Sequence, residues 1–491
     1  MGDRTAGRQQ KSSVPNPVRL AVLWIGLALS RVGLIDRERA IKATNLAWPR
    51  MVTGLARMSK DAVDIAMVGV AVGTSAVAGV GLAGPFWGVI FAVGTGVAGG
   101  TIALVSQRFG ADAYDELGTA VRSSAILVLA VSLPFVWFFW SYPHLLISLL
   151  TSNERVISHG AEYLRIVAFG TPFLALNLVG SRVLMGCDDS YTAMQIRVTG
   201  AMVNIVLNTI FIFGIGLGVT GAALGTTVSN VAVAAAFAIG LVRGSLPWIG
   251  AFPVTIDPTG RYLDPDVLAD LVTIGTPIGL RSLVWAAFEF PMLGILDMYG
   301  ENTVAAYVIA RRIWGLMNAP GWGFGLAASS LVGQALGRND ETVAEDYGRD
   351  IVLFSTVTYA VFAVVVAIFV HDIVTLFSDD PASGEIPIAV NLVYAACVAM
   401  LFQSVASATA GPLEASGDTT IPFVSQFTGM FCVAVPVAYL GAVSELGYWG
   451  LYLAFLGEAA IPAVLNYWRF RSGVWKSISE AYRPDAGPAD D

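Results

Sequence analysis

The chain has 491 residues, 55% of them hydrophobic and only 13% charged, with a formal net charge of −8. Soluble domains carry about 25% charged residues, so this balance excludes a soluble globular protein. The acidic sign, with lysine confined to Lys11, Lys42, Lys60 and Lys476, argues against nucleic acid as a partner.

Apolar stretches of membrane length recur from end to end, which predicts an all-α integral membrane protein in the lipid bilayer. An acidic, lysine-poor composition resembles that of proteins from salt-loving archaea. Cys187, Cys397 and Cys432 are isolated, without metal or redox spacing, and read as small core fillers. No cofactor or resident metal is expected.

In chain order, the polar start leads into a short apolar run, Leu20–Leu29. Ala28-Leu29-Ser30 has the form of a cleavage site, but the apolar spacing continues through Val32, Leu34 and Ile35. We therefore expect a retained cytoplasmic N-terminus over 1–43, with an interfacial or accessory helix at roughly 17–36. Twelve membrane helices follow, at 44–72, 76–108, 117–141, 155–186, 190–216 and 220–243, then 265–299, 303–336, 342–377, 386–415, 419–442 and 448–472. The polar connection 244–264, with Pro247, Pro253 and Pro258, separates a first lobe over 44–243 from a second over 265–472. Residues 473–491 form an acidic cytoplasmic tail.

The stretch 59–110 is rich in glycine and alanine and carries Asp61 and Asp64 in its first turns. Three residues apart, they share a helix face. A carboxylate inside a membrane helix costs about 2.5–3.5 kcal/mol on insertion scales and marks a functional site by default, so Asp64 reads as the centre of an ion-coupling site. The structural alternative for both acids is a salt bridge with Arg57 or Lys60. Asn204 and Asn208 share a face of the fifth membrane helix, and interhelical hydrogen bonding is their structural alternative. Asp189 and Asp418 read as N-caps, and Pro49, Pro85, Pro172 and Pro277 as candidate kinks.

In the second lobe, Glu289 lies deep in the seventh helix and is the candidate acid there, with a structural pair to Arg311 or Arg312 as its alternative. Trp285, Phe288, Trp314 and Trp322 are candidate lining of a substrate cavity, with packing or interfacial anchoring as the alternative.

Orientation follows from arginine placement. Arg108, Arg122, Arg197, Arg243, Arg261 and Arg338 fall on one set of connections, with Arg469, Arg471 and Lys476 at the C-terminal end. Glu301, Asp372, Asp379, Asp380, Glu385 and Glu445 fall on the other, where Arg155 is the exception. Both termini are thus expected in the cytoplasm, with the protein multi-pass in the plasma membrane. The halves are repeats: Leu104-Val105-Ser106-Gln107 aligns with Leu331-Val332-Gly333-Gln334, Trp87-Gly88 with Trp314-Gly315, and Thr199-Gly200 nearly in phase with Thr428-Gly429. Parallel six-helix repeats of this kind often place a substrate cavity near the midplane and rock for alternating access.

The run Val63-Asp64-x-x-Met67-Val68-Gly69, then Ala78-Gly79-Val80-Gly81-Leu82 and Leu104-Val105-Ser106-Gln107-x-x-Gly110, resembles the first two helices of the MATE (multidrug and toxic compound extrusion) family, in its DinF-like and archaeal form. Tyr163-Leu164-Arg165-Ile166 with Gly170-Thr171-Pro172 is similar to that family's fourth helix. Gly411-Pro-Leu-Glu414-Ala-Ser-Gly417-Asp418-Thr419 resembles its R-G-x-G-D-T turn, and Gly214-Ile-Gly216-Leu-Gly218-Val-Thr-Gly221 its connection between helices five and six.

The resemblance implies a MATE/MOP-type fold of two six-helix lobes and a monomeric antiporter. Such a protein expels small organic, often cationic, compounds in exchange for Na⁺ or H⁺. It places the first-lobe cation site on Asp64, Asn204 and Thr226. The family's second acid falls on Asn208, a departure that leaves one matched carboxylate unless Asp61 replaces the lost charge. Four oxygen-bearing side chains with one negative charge suit a monovalent hard cation, which favours Na⁺ over a bare protonation switch.

Two other functions compete. A lipid or polysaccharide-precursor flippase of the same superfamily would share fold and repeat but calls for a cationic cavity, and few arginines are intramembrane (Arg165, Arg281, Arg311 and Arg312). An intramembrane prenyltransferase-type enzyme would use Asp61, Asp64, Asp188 and Asp189 around Mg²⁺. The six-helix repeat has no purpose in such an enzyme, and the chain is read as a transporter, not an enzyme.

Overall fold

A computed structural model describes residues 16–377 and 384–484. Asp379 and Asp380, Lys11 and the acidic tail from Asp485 lie outside the described residues. The architecture is almost entirely helical: among the described residues, ten helical spans are long and apolar enough to cross a membrane by length and composition.

The accessory helix forms as α1 (Pro17–Arg31), with Asn16 as N-cap and Pro17 in the first turn, where its missing N–H costs nothing. Then come α2 (Arg37–Ala71), α3 (Thr74–Gly110), α4 (Tyr114–Ser141), α5 (Glu154–Gly186), α6 (Ser190–Gly214) and α7 (Gly218–Arg243). The second half brings α8 (Pro265–Asp297), α9 (Glu301–Met317), α10 (Ala319–Gly337), α11 (Glu341–Ile368), α12 (Glu385–Ala415), α13 (Thr420–Val443) and α14 (Trp449–Ser472). The helix expected at 303–336 is two helices broken at Asn318. Pro320 withholds a backbone donor there, and Tyr359 Oη donates to Asn318 Oδ1 at 2.8 Å. The helix expected at 342–377 ends at Ile368 and is followed by a separate short helix, Val370–Thr375. Both α6 and α13 loosen into π-helical turns, at Ile210–Gly214 and Thr428–Ala434. Such turns recur at functional sites.

The chain forms two compact units. One is Val52–Gly279; the other takes the chain up to Met51 and from Leu280 onward. These edges differ from the expected lobe limits at 44 and 265. The chain changes unit inside α2, just after Pro49, and inside α8, just after Pro277, matching positions in the two repeats.

Packing explains both edges. In the unit Val52–Gly279, the start of α8 meets α3 backbone to backbone. A Cβ on Gly275 would stand 2.7 Å from the Gly96 carbonyl oxygen, and one on Gly96 equally close to the Gly275 oxygen. The connection 244–264 is also fastened here. Its two-residue strands Ser245–Leu246 and Gly250–Ala251 pair antiparallel, and Phe252, Val254 and Ile256 are buried. Arg122 on α4 donates to the Asp257 carbonyl at 2.8 Å and to the Arg261 carbonyl at 2.9 Å.

In the other unit, Ala40, Ala43, Ala47 and Met51 of α2 enter a core with Val22 and Leu29 of α1, Phe324 and Leu331 of α10, and Phe354 of α11. Arg39 binds Asp350 at 2.7 Å and Asp346 at 3.1 Å, which ties the start of α2 to α11.

Candidate functional site

The second half of α2 carries Asp64 opposite α6 and α7, all within Val52–Gly279. Asn204 and Asn208, one helical turn apart on α6, are buried, as are Thr226 and Ser229 on α7. Asn208 Nδ2 donates to Asp64 Oδ1 at 2.8 Å. The Asn204 amide has two orientations related by a half-turn. In one, Nδ2 lies 3.4 Å from Thr226 Oγ1 and 3.3 Å from Ser229 Oγ. In the other, Nδ2 donates to both Asp64 oxygens, at 3.0 and 3.2 Å, and its oxygen accepts from the Thr226 backbone N–H at 3.2 Å. In the first, the oxygen faces the Asp64 carboxylate and accepts only the long contact from Asn208 Nδ2 at 3.4 Å; the second gives both ends closer partners, and the network favours it.

Room for Asn208 comes from α7. A Cβ on Gly225 would fall 1.9 Å from Asn208 Oδ1, so any larger residue there must displace the amide. Asn208 Oδ1 is buried and, among the described residues, has no hydrogen-bond partner. An unpaired amide oxygen in a membrane interior is costly, and a hard cation is the partner that such an oxygen suits.

The structure thus brings together four of the five expected first-lobe residues: Asp64, Asn204, Asn208 and Thr226. It also forms the ion pair that was their structural alternative. Lys60 Nζ lies 2.5 Å from Asp64 Oδ2 and 3.2 Å from Asp61 Oδ1. Asp61 stands at the site's edge: its side chain is 58% exposed, against 14% for Asp64 and 19% for Lys60. The sequence reading missed Ser229. Serine and threonine on a glycine-rich helix carry too weak a signal to separate site from packing.

In the other unit Glu289 is exposed, and Arg311 pairs instead with Glu458 of α14, at 2.6 Å. Five aromatic rings surround the Arg311 guanidinium, those of Trp285, Phe288, Tyr307, Trp314 and Phe455, with centroids 5.6–5.9 Å away. Phe288 and Trp314 are buried in the core there, facing the arginine. Trp285 is half-buried, as is Trp322, over which Arg50 lies at 5.7 Å. Glu458 is an acid in an apolar helix, found by the same rule as Asp64, but the sequence reading passed over it.

Two polar turns resolve differently from each other. Asp189 caps α6, accepting from the Thr192 N–H at 2.9 Å. Asp418 is not a cap: its carboxylate takes the Arg469 guanidinium at 2.6 Å.

A family model described as MatE matches residues 49–210 and 277–440, once in each repeat. The chain is 24% identical over 438 residues to "Probable multidrug resistance protein YoeA" of Bacillus subtilis (strain 168), covering 87% of this chain and 92% of that protein. It is 25% identical over 452 residues to "Probable multidrug resistance protein NorM" of Bradyrhizobium diazoefficiens, covering 88% and 93%. A crystal structure of MATE in the bent conformation shares the fold, with a TM-score of 0.82 at 22% identity over 90% of this chain and 97% of that one.

Proposed function

The chain belongs to the MatE family, and on that premise we propose that it exports small organic, often cationic, compounds in exchange for Na⁺. Members of this family are membrane transporters, not enzymes, and need no cofactor. The relatives named as multidrug resistance proteins support the substrate class.

The observation that carries the coupling reading is the group around Asp64. One carboxylate, two amides and a threonine hydroxyl converge there, with the Asn208 oxygen buried and unpartnered. In the state described, the amides aim N–H groups at Asp64. A half-turn of either amide presents oxygen instead, which gives a monovalent cation several hard ligands around a single charge. A bare proton would use the carboxylate alone and leave the amides without a role. Alternating access, a monomeric state and a plasma-membrane setting with both termini cytoplasmic complete the reading. They rest on the repeat and on arginine placement.

The test is flux in proteoliposomes loaded with a fluorescent organic cation. An imposed inward Na⁺ gradient is expected to drive efflux at constant pH. Efflux driven only by a proton gradient overturns the Na⁺ assignment, and no gradient-driven efflux overturns the antiporter reading.

A further inference from the structure

We propose that Lys60 is a built-in competitor for the coupling cation: its ammonium occupies the cation's seat on Asp64 and withdraws to Asp61 when Na⁺ binds. The proposal rests on the Na⁺ reading above and adds the group that sets how tightly the ion is held.

The geometry supplies both positions. Lys60 is four residues before Asp64 on α2, one helical turn away, and its Nζ reaches Asp64 Oδ2 at 2.5 Å. The same nitrogen is already 3.2 Å from Asp61 Oδ1. Moving from the first acid to the second therefore needs rotation about side-chain bonds of one flexible residue, with no change of backbone.

Exposure orders the two positions. Asp64 is mostly buried and Asp61 mostly open, so the inner seat suits a dehydrated ion and the outer one a solvated ammonium, which snorkels readily.

Arg57, one helical turn before Asp61, also acts on the outer carboxylate, so the inner one is left to Lys60 or to the ion. In the exchange Asp64 keeps a cationic partner throughout, first the ammonium and then the ion, so an unpaired inner carboxylate, the costly state in a low-dielectric interior, is avoided. The buried Asn208 oxygen, unpartnered and packed against Gly225, is a ligand that Lys60 does not use; a half-turn of the amide brings it to the Asp64 side, where an ion held between Asp64 and α6 would reach both.

The test is ²²Na⁺ binding to the purified full chain in detergent, with size-exclusion profiles as the check on folding. Lys60→Met is expected to bind Na⁺ about tenfold or more tightly than wild type, since it removes a like charge within ~4 Å of the ion's seat. Lys60→Arg, which keeps the charge and the pair, is expected to stay near wild-type affinity and guards against a packing artefact. Asp61→Asn is expected to bind more weakly, because the displaced ammonium loses its second acceptor. Asp64→Asn and Asp64→Asn/Lys60→Met are expected not to bind.

If Lys60→Met binds as wild type while Asp64→Asn loses binding, the cation site stands and the competitor proposal falls. Retained binding in Asp64→Asn removes the site itself. Absence of binding in both wild type and Lys60→Met overturns the Na⁺ reading and the proposal with it.

Discussion

Asn208 on α6 donates its amide N–H to the carboxylate of Asp64 on α2 at 2.8 Å, joining two helices inside one compact unit. The family pattern has a second acid at this position, so the amide turns a repulsive acid pair into a hydrogen-bonded one. Asn208→Ala removes that donor and the unpartnered oxygen together. We expect Na⁺-driven efflux to fall at least about tenfold, with a stability loss of about 1.5–3 kcal/mol from the lost hydrogen bond to a charged group, Lys60 still holding the carboxylate. Transport assays and thermal unfolding in detergent read the two effects separately.

Gly225 tests the same relationship from α7. The methyl of Gly225→Ala would lie 1.9 Å from Asn208 Oδ1, well inside contact, so the amide must swing away from Asp64. Coupled transport is expected to be lost in a protein that still inserts and elutes as a single species. Wild-type flux from this variant would show that the amide's position is not needed.

The Arg311–Glu458 pair predicts a stability effect in the other unit. Arg311→Met leaves a buried carboxylate without a partner, an error that costs about 3–5 kcal/mol in such pairs. Arg311→Met/Glu458→Met removes both charges and is expected to recover most of the loss. Melting temperatures of the three proteins in detergent measure this directly.

Arg122 predicts local opening. Arg122→Ala removes the hydrogen bonds to the Asp257 and Arg261 carbonyls while the buried Phe252, Val254 and Ile256 remain. We expect faster amide exchange and new proteolytic cuts within 245–263, without global unfolding.

The same strap carries a pH dependence. The Thr259 N–H donates to Asp257 at 2.8 Å and its hydroxyl at 2.7 Å. These bonds hold the Asp257 carboxyl below its ordinary value, the backbone bond first. A carboxylate favoured in the folded form stabilises above its unfolded pKa of about 3.9, and the effect fades as pH falls through the lower folded value. Protection of the Thr259 amide is therefore expected to be constant from pH 7 to 5 and to drop below about pH 4. Asp257→Asn is expected to exchange faster at all of these pH values.

Much of this was legible in the sequence because a bilayer admits few backbones. Apolar runs placed the helices within a few residues, and a charge in such a run singled out Asp64. The spacing of Asn204 and Asn208 set both on one face toward it. What stayed hidden depends on which partner a long side chain chooses. Lys60 has two acids within reach by spacing, and in the fold it serves both. Arg311 looked equally available to Glu289, yet it takes Glu458, far off in sequence. The break at Asn318 was signalled by Pro320, but the apolar run on both sides hid it. The connection 244–264 looks like a linker by composition, which does not show that Phe252, Val254 and Ile256 are buried or that Arg122 binds two of its carbonyls.

The central claim is that Asp64 takes the driving cation, and the most direct test compares wild type with Asp64→Asn in proteoliposomes. Dye efflux under an inward Na⁺ gradient is measured beside dye exchange with no ion gradient, which reports substrate binding and folding. The account predicts that Asp64→Asn loses gradient-driven efflux while exchange persists. Gradient-driven efflux at the wild-type rate in Asp64→Asn would contradict it.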